Sequence, residues 1–246
     1  AFGAVVVALG LGGVPFAQEI VFAVSIGVIS IMLFFVTREL PHAARRAILL
    51  TTIIIFVYRA APPSGDGYFW WTLDVLHFDA QFYGVLRRTG ALLAFVAMLL
   101  FARQLTEYSA AKTLFWLAVV GTLLSLPGVA LYFGLHEWTE RVFGFGARSI
   151  AIADAAASSP LAQLSAIPLL TLVAFYAPAG HRATWFALMV SLMNVATVAG
   201  QLQTKYLNQL FVIERGQYGE LGMLLIVTTA IGFVVPVFTI LVLGRR

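Results

Sequence analysis

Three arginines sit where an arginine is costly. Arg59 lies about twelve residues into an apolar stretch at 47–73, just ahead of Pro62-Pro63, and Arg87-Arg88 lie inside another at 79–103. At a rise of about 1.5 Å per residue, the Arg pair is some 13 Å past Asp79, the expected helix N-cap. An ionised side chain in hydrocarbon costs several kcal/mol unless it is paired or hydrated, so each is a functional candidate by default. The chemistry on offer is anion binding, because a guanidinium fork grips a carboxylate through two parallel hydrogen bonds. Arg87 and Arg88 are adjacent and cannot share a helix face, so at least one is expected to face a cavity.

Asp154, in the outer half of a stretch at 146–177, is the complementary group, with Ser158 and Ser165 on its face at i+4 and i+11. A carboxyl at that depth can carry a proton or accept a hydrogen bond from a solute. The stretch at 183–211 adds Asn194, Thr197, Gln201, Lys205 and Asn208 in steps of 3, 4, 4 and 3, one polar stripe on a helix otherwise built of Val, Leu, Ala and Met. Lipid cannot satisfy such a stripe, which therefore reads as the wall of a cavity.

Each feature has a structural alternative. Arg59 or Arg88 can clamp the bundle by pairing with Asp154 or Asp66, and the Asn194 stripe can be hydrogen-bonding glue between helices. Glu19, near a helix start, suits an interfacial charge better than a proton carrier. Tyr68-Phe69-Trp70-Trp71 fits an aromatic belt at the membrane surface as well as a stacking platform. His42, His77, His136 and His181 fall at the ends of stretches without an i,i+4 partner, and there is no Cys, so no metal site is expected. No nucleotide loop, dinucleotide fingerprint or nucleophile elbow is present; neither a cofactor nor an enzymatic activity is expected.

The elements that must position these groups follow from composition. Of 246 residues 61% are apolar and 11% charged, whereas a soluble domain is about a quarter charged. The chain lacks the polar surface to cover a globule in water and is expected to be an all-α integral membrane protein. Its net charge of +4 does not indicate a nucleic-acid partner, because the basic residues are scattered at the ends of apolar stretches. A bilayer needs about 20 apolar helical residues per crossing. On that measure eight spans are expected, at 1–16 (short), 18–36, 47–73, 79–103, 112–135, 146–177, 183–211 and 218–243. The third is interrupted by Ala60-Ala61-Pro62-Pro63-Ser64-Gly65-Asp66-Gly67, where prolines and glycines permit a break. Loops on the side of Thr37–Arg46 and the C-terminus hold eight Lys/Arg, Arg245 and Arg246 included, against Arg141, Arg148 and Arg215 opposite. The linker and C-terminus are accordingly expected in the cytoplasm, with a bacterial inner membrane as the setting.

Six spans after a basic linker resemble the second half of a major facilitator superfamily transporter. Ala61-Pro62-Pro63-Ser64, then Gly67-Tyr68-Phe69-Trp70, then Leu76-His77-Phe78-Asp79-Ala80-Gln81-Phe82-Tyr83-Gly84 resemble the folate–biopterin transporter family of that superfamily. So do Asp154, Ile167–Ala174, Ala177–Leu188 and Ser191–Asn194. The resemblance covers about residues 45–243. It implies a major-facilitator-like helical bundle in which 1–36 are the last two helices of an N-terminal bundle, 37–46 the cytoplasmic linker and 47–246 the C-terminal six-helix bundle. The first four helices of the twelve-helix fold would be absent from this chain.

The function implied is secondary active transport of an anionic pterin, folate-like or other small organic solute by alternating access, with proton coupling or exchange. In that setting Arg59 and one of Arg87 or Arg88 would hold a carboxylate. Asn194 and Gln201 would orient the solute, Tyr68 or Phe69 would stack a planar ring, and Asp154 would carry the coupling proton or accept from a ring nitrogen. The partners would be the lipid bilayer and a small organic anion. Two other readings stay open: a non-transporting, transporter-like subunit or assembly factor that binds other membrane subunits, and an anion channel lined by the inward arginines.

Overall fold

The computed structural model describes residues 16–244, which form ten helices. In chain order these are α1 (Ala17–Thr37), α2 (His42–Arg59), α3 (Gly65–Asp74), α4 (Ala80–Glu107), α5 (Ala110–Tyr132), α6 (Leu135–Phe143), α7 (Ala147–Leu164), α8 (Ala166–Phe175), α9 (Arg182–Leu210) and α10 (Leu221–Leu243). The expected segment 1–16, apart from Phe16, and the basic pair Arg245-Arg246 lie outside the described residues. Six helical stretches are long and apolar enough to cross a membrane: α1, α4, α5, α7 with α8, α9 and α10. The expected span 47–73 is divided between α2 and α3. The protein is an all-α integral membrane bundle, and its outward faces are apolar, as along Leu92, Phe95 and Leu99 of α4.

Local sequence explains the boundaries. Asp79 caps α4 by accepting a 2.7 Å hydrogen bond from the Phe82 amide, which relieves one of the orphan donors at a helix start. The expected stretch at 146–177 is jointed: the chain turns at Ser165, whose hydroxyl donates to the Ala162 carbonyl at 2.7 Å, and continues as α8. Helix α6 was not anticipated. It is bracketed by Gly134 and Gly144, both left-handed at φ 83° and 74°, a conformation that glycine adopts without penalty. Between them only two turns form, too few to announce themselves by periodicity.

Packing places polar space between two apolar layers. Toward the linker end, Ile48, Ile54 and Ile55 of α2, Leu114 of α5, Leu169 and Val173 of α8, Trp185 to Leu192 of α9 and Ile240 of α10 form one buried cluster. At the opposite end, Trp71, Leu131, Ile150, Ile213, Leu221, Leu224 and Leu225 form a second. Where the helices run from one layer to the other their side chains shrink and turn polar: Ala60 with Ala196 and Ala199, Gly121, Thr122, Ser125 and Gly128 on α5, Thr228, Thr229 and Gly232 on α10. Small residues also bring α4 and α7 together, since a Cβ on Gly90 would lie 2.5 Å from Ser159 Oγ. Close approach through small residues is how helices associate in lipid, where burial from water supplies no driving force.

Candidate functional site

The site is organised by the break between α2 and α3. Pro62 and Pro63 have no amide hydrogen, so the carbonyls of Tyr58 and Arg59, four residues earlier, lose their helical donors. Helix α9 meets the exposed backbone from the side. Gln203 Nε2 donates to the Ala60 carbonyl at 2.9 Å and Thr204 Oγ1 to the Pro63 carbonyl at 2.8 Å. The approach requires glycine on both strands of contact. A Cβ on Gly200 would stand 2.7 Å from the Ala61 carbonyl oxygen, and one on Gly65, already left-handed at φ 77°, would stand 2.6 Å from the Thr204 methyl.

Two cavities flank this break and share Pro63. The first, about 320 Å³, lies between α3, α5, α7 and α10. Asp154 is its single charged residue, beside the hydroxyls of Ser64, Tyr68, Thr122, Ser125, Ser158, Thr228 and Thr229. Gly128 leaves the carboxylate room, with a position for Cβ 3.6 Å from Asp154 Oδ2. Asp154 Oδ1 is buried and has no hydrogen-bond partner among the described residues. The second cavity, about 720 Å³, is lined by Gln18 of α1, Gly65 and Asp66 of α3, and Gln201, Thr204, Lys205, Asn208 and Gln209 of α9. At its edge Lys205 Nζ donates to Glu19 Oε1 at 2.6 Å, and the Tyr206 hydroxyl donates to the same oxygen at 2.9 Å. Glu19 Oε2 and Asn208 Oδ1 are buried there without partners among the described residues.

Set against the residues picked out from sequence, this geometry keeps some and displaces others. Asp154 and Tyr68 line the first cavity, with the Tyr68 hydroxyl donating to the Gly128 carbonyl at 3.1 Å. Gln201, Lys205 and Asn208 of the polar stripe line the second. Arg59 joins the stripe through a 3.3 Å hydrogen bond to Thr197 Oγ1, but Arg59 and Asn194, a turn nearer the start of α9, are both exposed and line neither cavity. Phe69 packs on Tyr83 at 4.9 Å between ring centroids and lines neither cavity.

Arg87 and Arg88 are placed away from this site. Both are exposed and border neither cavity. Arg88 continues the outward stripe of Leu92, Phe95 and Leu99 at i+4, i+7 and i+11, facing away from the Gly90 contact with α7. The pairing of an inward cation with Asp154 is also corrected: among the described residues Asp154 makes no ion pair, and Lys205 is held by Glu19 instead. Gln203 and Thr204 were overlooked because the stripe follows a neighbouring phase of the helix. The signal was Gly200-x-x-Gln203-Thr204, an i, i+3, i+4 set opposite a double proline.

Beyond the end of the broken span, the loop after α9 is fastened to α3. Arg215 Nη2 donates to Asp74 Oδ1 at 3.2 Å and the Tyr218 hydroxyl donates to Oδ2. Arg215 first, and Tyr218 after it, hold the Asp74 carboxyl below its usual range.

A cavity on each side of a broken helix, one bearing a lone carboxyl and the other a belt of amides, is the arrangement expected of a small-molecule site in a membrane bundle. Such a site can bind. The chain is 28% identical over 188 residues to the folate-biopterin transporter of Synechocystis sp., covering 75% of this chain and 36% of that protein. It is 22% identical over 167 residues to folate transporter 2 of Plasmodium falciparum, covering 68% and 36%. With the probable folate-biopterin transporter 6 of Arabidopsis thaliana it shares 21% over 180 residues, covering 72% and 35%. The match thus spans little more than a third of each relative's length. No solved structure matches. The profile of the BT1 family matches residues 15–246, nearly the whole sequence, and the chain belongs to that family.

Proposed function

We propose that this protein acts in secondary active transport of a small organic anion of the pterin or folate type, by alternating access with proton coupling or exchange. The single observation that carries the proposal is the pair of polar cavities on either side of the Pro62-Pro63 break, the first of them holding Asp154. Discontinuous helices that offer backbone and side chains to a solute near mid-membrane are the recurrent architecture of such proteins. The names of the relatives supply the solute class.

In this proposal 1–36 are the last two helices of an N-terminal bundle, 37–46 the cytoplasmic linker and 47–246 the C-terminal bundle, with the C-terminus in the cytoplasm. Gln201, with Asn194 beyond it, offers amide donors and acceptors to the heterocycle from α9. Arg59, fixed to the same face by Thr197, takes the carboxylate; Arg87 and Arg88 have no comparable support. Tyr68 and Asp154 serve the first cavity, where Asp154 takes up and releases the coupling proton.

The test is uptake into proteoliposomes of a radiolabelled pterin or folate under an imposed inward proton gradient. Wild-type protein is expected to accumulate solute against its gradient, and Asp154→Asn to equilibrate it without accumulation. Accumulation by D154N equal to wild type refutes the coupling role. Absence of uptake and of counterflow in folded wild type refutes transport.

A further inference from the structure

The wall around Asp154 is short of hydrogen-bond donors. A hydroxyl has one proton to give, and four of the cavity's seven hydroxyls have given it to backbone. Tyr68 donates to the Gly128 carbonyl, Ser125 to Thr122, Ser158 to Asp154's own carbonyl and Thr228 to Leu224, at 3.1, 2.9, 2.7 and 2.9 Å. No Arg, Lys, His, Asn, Gln or Trp lines the space. What remains on the wall is a carboxylate with an orphaned buried oxygen, the lone pairs of those four hydroxyls, and the hydroxyls of Ser64, Thr122 and Thr229, each of which can turn a lone pair inward. Gly232 is on this wall, and its carbonyl has no helical amide to accept because residue 236 is proline. A buried carboxylate oxygen without a partner is a costly arrangement unless a positive species joins it.

We propose that the Asp154 cavity is a binding site for a dehydrated monovalent alkali cation, which competes with the proton for the same carboxylate. The inference rests on Asp154 as the coupling group and adds the ion that the surrounding oxygens are built for. Hard cations take carboxylate and hydroxyl oxygens, and the cavity is lined by one carboxylate residue and seven hydroxyl residues. A divalent ion would be only half neutralised by one carboxylate, whereas its usual sites gather several charged or carbonyl oxygens in a rigid or preformed cage. At about 320 Å³ the space admits an ion and several waters, each of about 30 Å³. Unwound backbone beside a broken helix is also where transporters coordinate their coupling cations.

Competition with the proton is intrinsic to the site, since Tyr68 is the other titratable group on its wall. Around α7, Arg87, Arg88 and Tyr83 of α4 lie outside the cavity, and Tyr132 of α5 is turned to the Tyr218 carbonyl. Helix α8 carries no titratable residue; α6 brings His136, Glu137, Glu140 and Arg141 only at the outer end. Arg148 of α7 itself is paired with Asp79.

The test is calorimetric titration of the protein in lipid nanodiscs with NaCl and with KCl, at constant ionic strength made up with choline chloride, at several pH values. Saturable binding of at least one alkali ion is expected. Its apparent affinity should fall up to tenfold per pH unit on acidification, with one proton released per ion bound. Asp154→Asn should abolish binding, and Ser125→Ala or Ser158→Ala, which keep the carboxyl, should weaken it severalfold. No saturable heat with either ion in folded wild type overturns the proposal, as does binding that survives in D154N. If neither ion binds while D154N still abolishes proton-driven accumulation, the site is a proton site alone, and the transport proposal stands without this one.

Discussion

Replacing Gly200 by alanine adds one methyl group, and the structure says where it goes. The new Cβ would lie 2.7 Å from the Ala61 carbonyl oxygen, 3.2 Å from the Ala60 oxygen and 3.3 Å from the Ala61 carbonyl carbon. A relaxed carbon-to-oxygen contact is about 3.3 Å or more, so α9 must retreat by roughly half an ångström or the Ala60-Ala61 backbone must yield. Both partners are main chain, and neither can rotate aside. Overpacking of this kind costs about 1–3 kcal/mol. The same retreat stretches the hydrogen bonds from Gln203 and Thr204 to the break, each worth about 0.6 kcal/mol between membrane helices. Against this, alanine is the better helix former by up to about 1 kcal/mol. The sum is a destabilisation of about 1–3 kcal/mol, readable as a lowered midpoint of reversible unfolding in mixed micelles. Gly84→Ala on α4, where a Cβ meets nothing within 4 Å, is the control and should be neutral or stabilising. A Gly200→Ala protein as stable as wild type, with Gly84→Ala behaving as stated, would show that α9 is not seated on the break.

Thr204→Val keeps the shape and removes the donor to Pro63; it should cost about 0.6 to 1.7 kcal/mol and raise amide exchange at 64–68. Glu19→Gln and Lys205→Met should be coupled: the pair is partly exposed, at 22% and 40% for the two side chains, so a double-mutant cycle should return about 1 kcal/mol or less. A cycle value near zero would mean that α1 is held to α9 by packing alone. Arg59→Lys keeps the charge but loses the planar fork; solute affinity should fall at least tenfold, whereas Arg88→Lys should leave it unchanged, as concentration-dependent uptake would show.

Much of the fold is legible in the sequence because lipid imposes a single rule, that every span be apolar and helical. The spans expected at 183–211 and 218–243 coincide within a few residues with α9 and α10, and Asp79 caps α4 as its residue type suggests. The double proline is equally plain, since its missing amides are a property of the residue. What periodicity does not encode is the partner across the bundle. Glu19 and Lys205 are 186 residues apart, and nothing local links them. Gln203 and Thr204 were passed over because a stripe chosen by one helical phase excludes its flank, although the flank is what touches the break. Arg88 misled for a related reason: depth along a helix is readable, but which way the side chain points depends on where α7 packs.

Two carbonyls at the α2–α3 break, those of Ala60 and Pro63, are held by side chains of α9. A break left to solvent would be a hinge, free to bend when a solute arrives. This one is a splice: α2, α3 and α9 are stitched across Gly200 and must be carried as one rigid body. Any rearrangement that opens or closes the bundle then falls to the seams that lack backbone stitching, among them that between α1 and α9, where the described clasp is side chain to side chain, Lys205 and Tyr206 on the one carboxylate of Glu19.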